Sequence, residues 1–120
     1  MAEQKMSFRD VEEIVRLSYL YDFYGALLKD RHRQIFEEYV LNDLSLSEIA
    51  EEYEITRQGA YDIVKRCSKR LESYEEKLGL FARFRLAKER LSRVEELVQG
   101  DCERARSQIL DLTHEIYEIL

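Results

Sequence analysis

Seven polar side chains, Arg57, Gln58, Tyr61, Asp62, Lys65, Arg66 and Lys69, follow one another in alternating steps of one and three residues. On a helix this spacing gathers them towards one side. Their types suit a nucleic-acid groove: Arg and Lys for phosphates or guanine, Gln for adenine, Asp for the cytosine amino group, and Tyr for a thymine methyl or a phosphate. Thr56, one position ahead, joins this candidate set and offers a hydroxyl to cap the helix. Between positions 56 and 70, Arg57, Lys65, Arg66, Lys69 and Arg70 are opposed only by Asp62. Such a charge run is either a phosphate contact or a solvated helix face paired with neighbouring Glu.

Those residues act together only if they lie on the second helix of a helix-turn-helix. Ahead of them, Leu46, Ile49, Ala50 and Tyr53 fall at helical spacing, with Ser45 or Ser47 available as the cap. Ala50 is small enough to let two helices cross closely across a tight turn. Ile55 can plug that turn, and Ala60, Ile63, Val64 and Cys67 form the inner face of the following helix. The turn position that ordinarily takes glycine is Glu54, which costs about 1 kcal/mol if it adopts a positive φ. An ordinary helical bundle with a short turn is the simpler alternative. Gly59, in the first turn of the second helix, permits a close backbone approach to nucleic acid or to the preceding helix, or is tolerated drift.

The same helix extends well past the motif. Ala60, Val64, Cys67, Leu71, Tyr74 and Leu78 recur in steps of three and four, predicting one helix to about Lys77 or Leu78, with Gly79 ending or bending it. Upstream, Ser7-Phe8-Arg9-Asp10 resembles a capping box, and Val11, Ile14, Leu17, Leu20, Tyr21 and Tyr24 form a stripe closed by Gly25. Tyr19, Tyr21, Phe23 and Tyr24 are read as core or interface rather than as a base-stacking platform. A second helix should start near Asp30 with Ile35, Phe36, Tyr39, Val40 and Leu41 inward, and break at Asn42-Asp43.

Downstream, Leu80, Phe84, Ala87, Leu91, Val94 and Val98 make a stripe closed by Gly100. Asp101 then caps a last helix with Cys102, Ala105, Ile109, Leu112, Ile116 and Ile119 aligned. The expected organisation is a helix-turn-helix domain over residues 1–78 and a C-terminal helical hairpin over 79–120. Leu86, Leu97, Leu110, Tyr117 and Leu120 widen the apolar faces beyond one seam, which favours a homodimer or another protein interface over intramolecular packing alone.

Composition sets the class. The chain has 120 residues, no Pro and four Gly, with 37% charged and 45% hydrophobic residues, which suits an all-α domain with a modest core. Its formal net charge of −6 is acidic, and Glu48, Glu51, Glu52 and Glu54 would repel phosphates from the first helix of the motif. One basic helix on an acidic body predicts weak, salt-sensitive binding by a monomer, and a dimer doubles the patch.

No run of about 18 uncharged apolar residues occurs, nor a signal peptide, so we expect a cytoplasmic protein without membrane contact. Cys67 and Cys102 lack a CxxC or His-rich partner set and read as reduced core or semi-core residues. His32 and His114 stand isolated, and no nucleophile, base and stabiliser come together. The expectation is a non-enzyme with no catalytic residue, metal or cofactor.

Residues 28–71, LKDRHRQIFEEYVLNDLSLSEIAEEYEITRQGAYDIVKRCSKRL, resemble the promoter-reading fourth region of bacterial sigma factors. The segments YLYDFYGALL (19–28), LSLSEIAEEYEITRQGAYDIVKR (44–66) and LESYEEKLGLF (71–81) resemble more closely the YlxM family, small bacterial helix-turn-helix proteins associated with the signal recognition particle. The similarity covers about the first 85 residues and is most specific at TRQGAYDIVKR followed by YEEKL; the last 35 match only in helical character. A chain of 120 residues has no room for the core-promoter and polymerase-clamp domains of a sigma factor.

This resemblance implies a regulatory role linked to the signal recognition particle GTPase chiefly by gene neighbourhood. Its partner would be nucleic acid, either DNA or the signal recognition particle RNA, with the GTPase itself as a possible protein partner. An adaptor that acts on the GTPase or its RNA by protein contact, with the helix-turn-helix as scaffold, is the alternative.

Overall fold

The computed structural model describes residues 11–120, and the capping box expected at Ser7–Asp10 lies outside them. The described residues form six α-helices and a short 3₁₀ turn, with no strand among them. None of these helices is long and apolar enough to cross a membrane. The chain divides into two compact units, one ending at Leu78 and the other spanning Gly79–Leu120.

The first unit contains α1 (Val11–Tyr24), the 3₁₀ turn Gly25–Leu27, α2 (Asp30–Val40), α3 (Leu46–Glu52) and α4 (Arg57–Leu78). Leu20, Ile35, Phe36, Ile49, Val64 and Leu71 are wholly enclosed where α1, α2 and α3 pack on α4. From α1 only Leu17, Leu20, Tyr21 and Tyr24 are buried; Val11 is exposed, and Ile14 is half-buried. Leu41 follows the last turn of α2 and is exposed rather than inward, because the chain already leaves the helix at Asn42. The break itself is where Asn42-Asp43 places it, Asp43 adopting φ +58°.

A buried polar pair that the apolar pattern does not reveal joins α1 to α4. The Tyr24 hydroxyl donates to the Glu75 carboxylate at 2.7 Å, and the Tyr24 and Tyr74 rings lie 5.9 Å apart. Glu75 continues the inner register Ala60, Val64, Cys67, Leu71 that the apolar series assigned to Tyr74.

The helix-turn-helix turn contains a left-handed residue without glycine. Glu54 has φ +54° and stands between α3 and α4, where the Cβ conflict of an L-residue costs about 1 kcal/mol. Glu54→Gly should therefore raise unfolding stability by roughly 1 kcal/mol, seen as a higher urea midpoint at unchanged slope.

The second unit is a hairpin of α5 (Leu80–Gln99) and α6 (Cys102–Ile119). Asp101 caps α6 by accepting from the Arg104 amide at 3.3 Å, and Arg90 reaches Glu115 across the hairpin at 2.9 Å. Ala87, Ala105 and Ile116 are buried, while Val94, Leu97, Ile109, Leu112 and Ile119 are half-buried. The expected α5 stripe is only partly right. Ala87 and Val94 turn inward, but Leu80, Phe84, Leu91 and Val98 are exposed, since α5 carries more apolar residues than one seam can cover. Cys102 is exposed and not semi-core, because it opens the first turn of α6.

Candidate nucleic-acid interface

The helix-turn-helix is assembled by local bonds that can be followed residue by residue. Ser45 caps α3 in a full capping box: its hydroxyl accepts from the Glu48 amide at 3.1 Å, and the Glu48 carboxylate accepts from the Ser45 amide at 3.0 Å. The α3 carbonyl of Ala50 accepts from the Ile55 amide at 3.0 Å, which closes the turn. Thr56 then caps α4 by accepting from the Gly59 amide at 2.9 Å. A Cβ at Gly59 would stand 3.1 Å from that same Thr56 hydroxyl, a tight contact that the cap would have to ease by a few tenths of an ångström.

This scaffold sets the predicted residues on α4 and its approach. Thr56, Arg57, Gln58, Asp62, Lys65, Arg66 and Lys69 are exposed and Tyr61 is half-buried. Two internal pairings organise them: Gln58 donates to Asp62 at 3.0 Å, and the Lys65 ammonium lies 5.7 Å from the Tyr61 ring centre. The Gln58–Asp62 bond does not use the Gln58 carbonyl oxygen, its second amide hydrogen or the other Asp62 oxygen. A shallow groove runs along Asp62, Lys65, Arg66, Lys69, Arg70 and Ser73. On its other flank Lys65 and Lys69 share a second groove with Glu13, Glu72 and Glu76, which bounds the basic strip with acid.

Lys65, Arg66, Lys69 and Arg70 make no salt bridge with another described residue. Elsewhere the chain does pair its charges, as in Arg16 with Glu72 at 2.7 Å and Arg33 with Glu37 at 3.6 Å. The strip is thus a set of cations held towards solvent and not a ladder neutralised by its own glutamates.

The basic surface also extends beyond the residues singled out in the sequence. Arg66 and Arg70 meet Lys29 and His32 from the start of α2 around one small cavity. His32 is therefore not isolated; burial, then Arg66, Lys29, Arg70 and Arg31, hold its imidazole below the ordinary histidine range. The signal was present as the basic run Lys29-Asp30-Arg31-His32-Arg33, which only the packing of α2 on α4 connects to the motif.

The aromatic cluster of α1 divides. Tyr21 and Tyr24 are buried, Tyr19 is half-buried, and Phe23 is exposed beside Tyr24 at 6.1 Å between ring centres. Among the described residues no group of three His, Cys, Asp or Glu could hold a metal ion.

A capped short helix, a tight left-handed turn and a long second helix with its polar face outward define an all-α helix-turn-helix protein. Residues 11–111 match the family described as "Putative helix-turn-helix protein, YlxM / p13 like". The chain is 45% identical over 106 residues to a UPF0122 protein of Thermoanaerobacter sp. (strain X514), covering 88% of this chain and 91% of the relative. It is 45% identical over 93 residues to the UPF0122 protein YlxM of Bacillus subtilis (strain 168), covering 78% and 84%. With a UPF0122 protein of Geobacillus sp. (strain WCH70) it shares 39% over 109 residues, or 91% and 98% of the two chains. The chain belongs to the YlxM/p13-like helix-turn-helix family.

Proposed function

We propose that this protein is a non-enzymatic, cytoplasmic regulator that binds nucleic acid through α4, with Arg57, Gln58, Tyr61, Asp62, Lys65, Arg66 and Lys69 as the contact set behind the Thr56 cap. The observation that carries this reading is the row of cations Lys65, Arg66, Lys69 and Arg70, exposed and making no salt bridge with a described carboxylate on a chain of net charge −6. Unpaired cations concentrated on one helix cost self-repulsion that phosphates relieve. The resemblance to the YlxM family supports a place in the signal recognition particle pathway, with its RNA or a DNA site as the target.

Two substitutions divide base reading from backbone contact. Arg57→Ala should cost about 1–3 kcal/mol on a preferred sequence and little on random duplex. Lys69→Ala should weaken all sequences alike and reduce the salt slope by about 0.9. Fluorescence anisotropy on both ligands checks the contrast, and identical behaviour of the two variants counts against the reading.

A second reading draws on the C-terminal hairpin. Leu91, Val98 and Leu110 are exposed, and Val98, Ile109 and Leu110 border an apolar groove on the second unit. This face serves a homodimer that doubles the basic strip, or an adaptor contact with the signal recognition particle GTPase. Val98→Glu with Leu110→Glu should turn the dimer into a monomer in sedimentation equilibrium and weaken nucleic-acid binding through lost avidity. A wild type that is monomeric at all concentrations, with GTPase modulation lost in the variant, would favour the adaptor.

A further inference from the structure

A cavity of about 120 Å³ lies between the start of α2 and the third and fourth turns of α4, lined by Leu28, Lys29, His32, Arg66, Cys67 and Arg70. It has room for a few water molecules or one tetrahedral oxyanion. Three permanent cations and one imidazole converge there from two helices, and no carboxylate lines it. Lys29, Arg66 and Arg70 make no salt bridge with a described residue, so their mutual repulsion is uncompensated by the fold.

The rest of the lining is neutral and fixed. Burial pushes the Cys67 thiol up to about 11, so it stays protonated, and it donates to the His32 carbonyl at 3.8 Å. Leu28 supplies an apolar wall. Arg31, beside His32, donates to the Tyr53 carbonyl at 3.2 Å, tying the start of α2 to the helix-turn-helix turn. The cavity is itself walled by Arg66, Cys67 and Arg70 of α4.

That placement suits a nucleic-acid strand. Arg66 lies nine residues beyond Arg57, about 14 Å along the helix axis, and the major groove is about 12 Å wide. With the Arg57 end at the base edges, the level of Arg66 and Arg70 falls where the flanking phosphates run. We propose that this cavity holds one backbone phosphate of the bound nucleic acid, gripped by Lys29, His32, Arg66 and Arg70. The proposal rests on the nucleic-acid reading above and adds a contact supplied by α2, outside the recognition helix.

The test uses the full chain and the variant Lys29→Gln, which removes the exposed cation supplied by the start of α2 and leaves the α4 row intact. In anisotropy titrations with duplex DNA and signal recognition particle RNA over a salt series, the variant should bind about fivefold more weakly at 0.15 M salt, with a slope shallower by about 0.9. In a parallel arm, the His32 ring resonances are followed by NMR while inorganic phosphate replaces chloride at matched ionic strength. A saturable rise of the His32 pKa in the wild type, absent from the variant, is expected.

Equal slopes for wild type and variant overturn the proposal while leaving recognition by α4 intact. Equal slopes together with a His32 response identify free phosphate as the ligand and overturn the backbone contact. A wild type that binds neither nucleic acid at low salt defeats the underlying reading, and this proposal with it.

Discussion

Replacing Lys65, Arg66 and Lys69 together by alanine is expected to lower affinity for nucleic acid by about two orders of magnitude at 0.15 M salt, and to flatten the salt dependence by close to three phosphates. Each cation that neutralises a phosphate releases condensed counterions, and the three side chains are exposed and make no salt bridge with a described residue, Lys65 giving up only its place over the Tyr61 ring. Alanine is at least as good a helix former, and the buried face of α4 is carried by Ala60, Val64, Cys67, Leu71 and Glu75. The variant should thus keep its fold by circular dichroism, which isolates the effect to the surface. Equal binding by wild type and the triple variant would contradict the contact assignment outright.

The second large effect is structural and sits beside the site. Gly25→Ala should destabilise the protein by about 1–3 kcal/mol. A Cβ there would meet the Tyr21 ring at 2.7 to 2.9 Å, closer than real contacts permit. The ring has no room to withdraw: Tyr21 is buried and its centre lies 5.8 Å from that of Phe36. Its hydroxyl accepts from Arg33 at 2.9 Å and donates to Glu37, which ties α1 to α2. Relief must come from the backbone of the 3₁₀ turn Gly25–Leu27, the segment that leads to Leu28 and Lys29. Urea unfolding checks the prediction, and coupling can be tested in the same experiment. Gly25→Ala combined with Tyr21→Leu should cost less than the sum of the two single changes; strict additivity, or a neutral Gly25→Ala, would exclude the steric account.

Much of the fold was legible because local rules and packing agree there. Thr56, Ala60, Val64, Cys67 and Leu71 could be placed from capping and periodicity alone, and so could the end of α4 at Leu78 and the Asp101 cap. Ser45 rather than Ser47 became the cap because only Ser45 lies three residues before a glutamate able to return the bond. What failed to show in the sequence depends on neighbours. Leu41 looks like core until the helix ends beneath it, and Glu75 looks solvated until Tyr24 arrives from α1.

The hairpin was hardest to read, since α5 carries apolar residues all around and periodicity cannot choose among overlapping stripes. The candidate site followed the same division. The α4 residues were visible as one helical pattern, whereas Lys29 and His32 join them only through packing between segments 34 or more residues apart in sequence.

The most direct measurement of the central claim is the wild-type protein titrated against its own upstream DNA, random duplex and signal recognition particle RNA, each over a salt series. Recognition through α4 predicts binding that prefers one of these ligands and weakens steeply and linearly in log salt, the slope approaching −0.9 for each phosphate neutralised. No binding to any of the three at low salt would contradict it, leaving the helix-turn-helix as a scaffold for protein contacts.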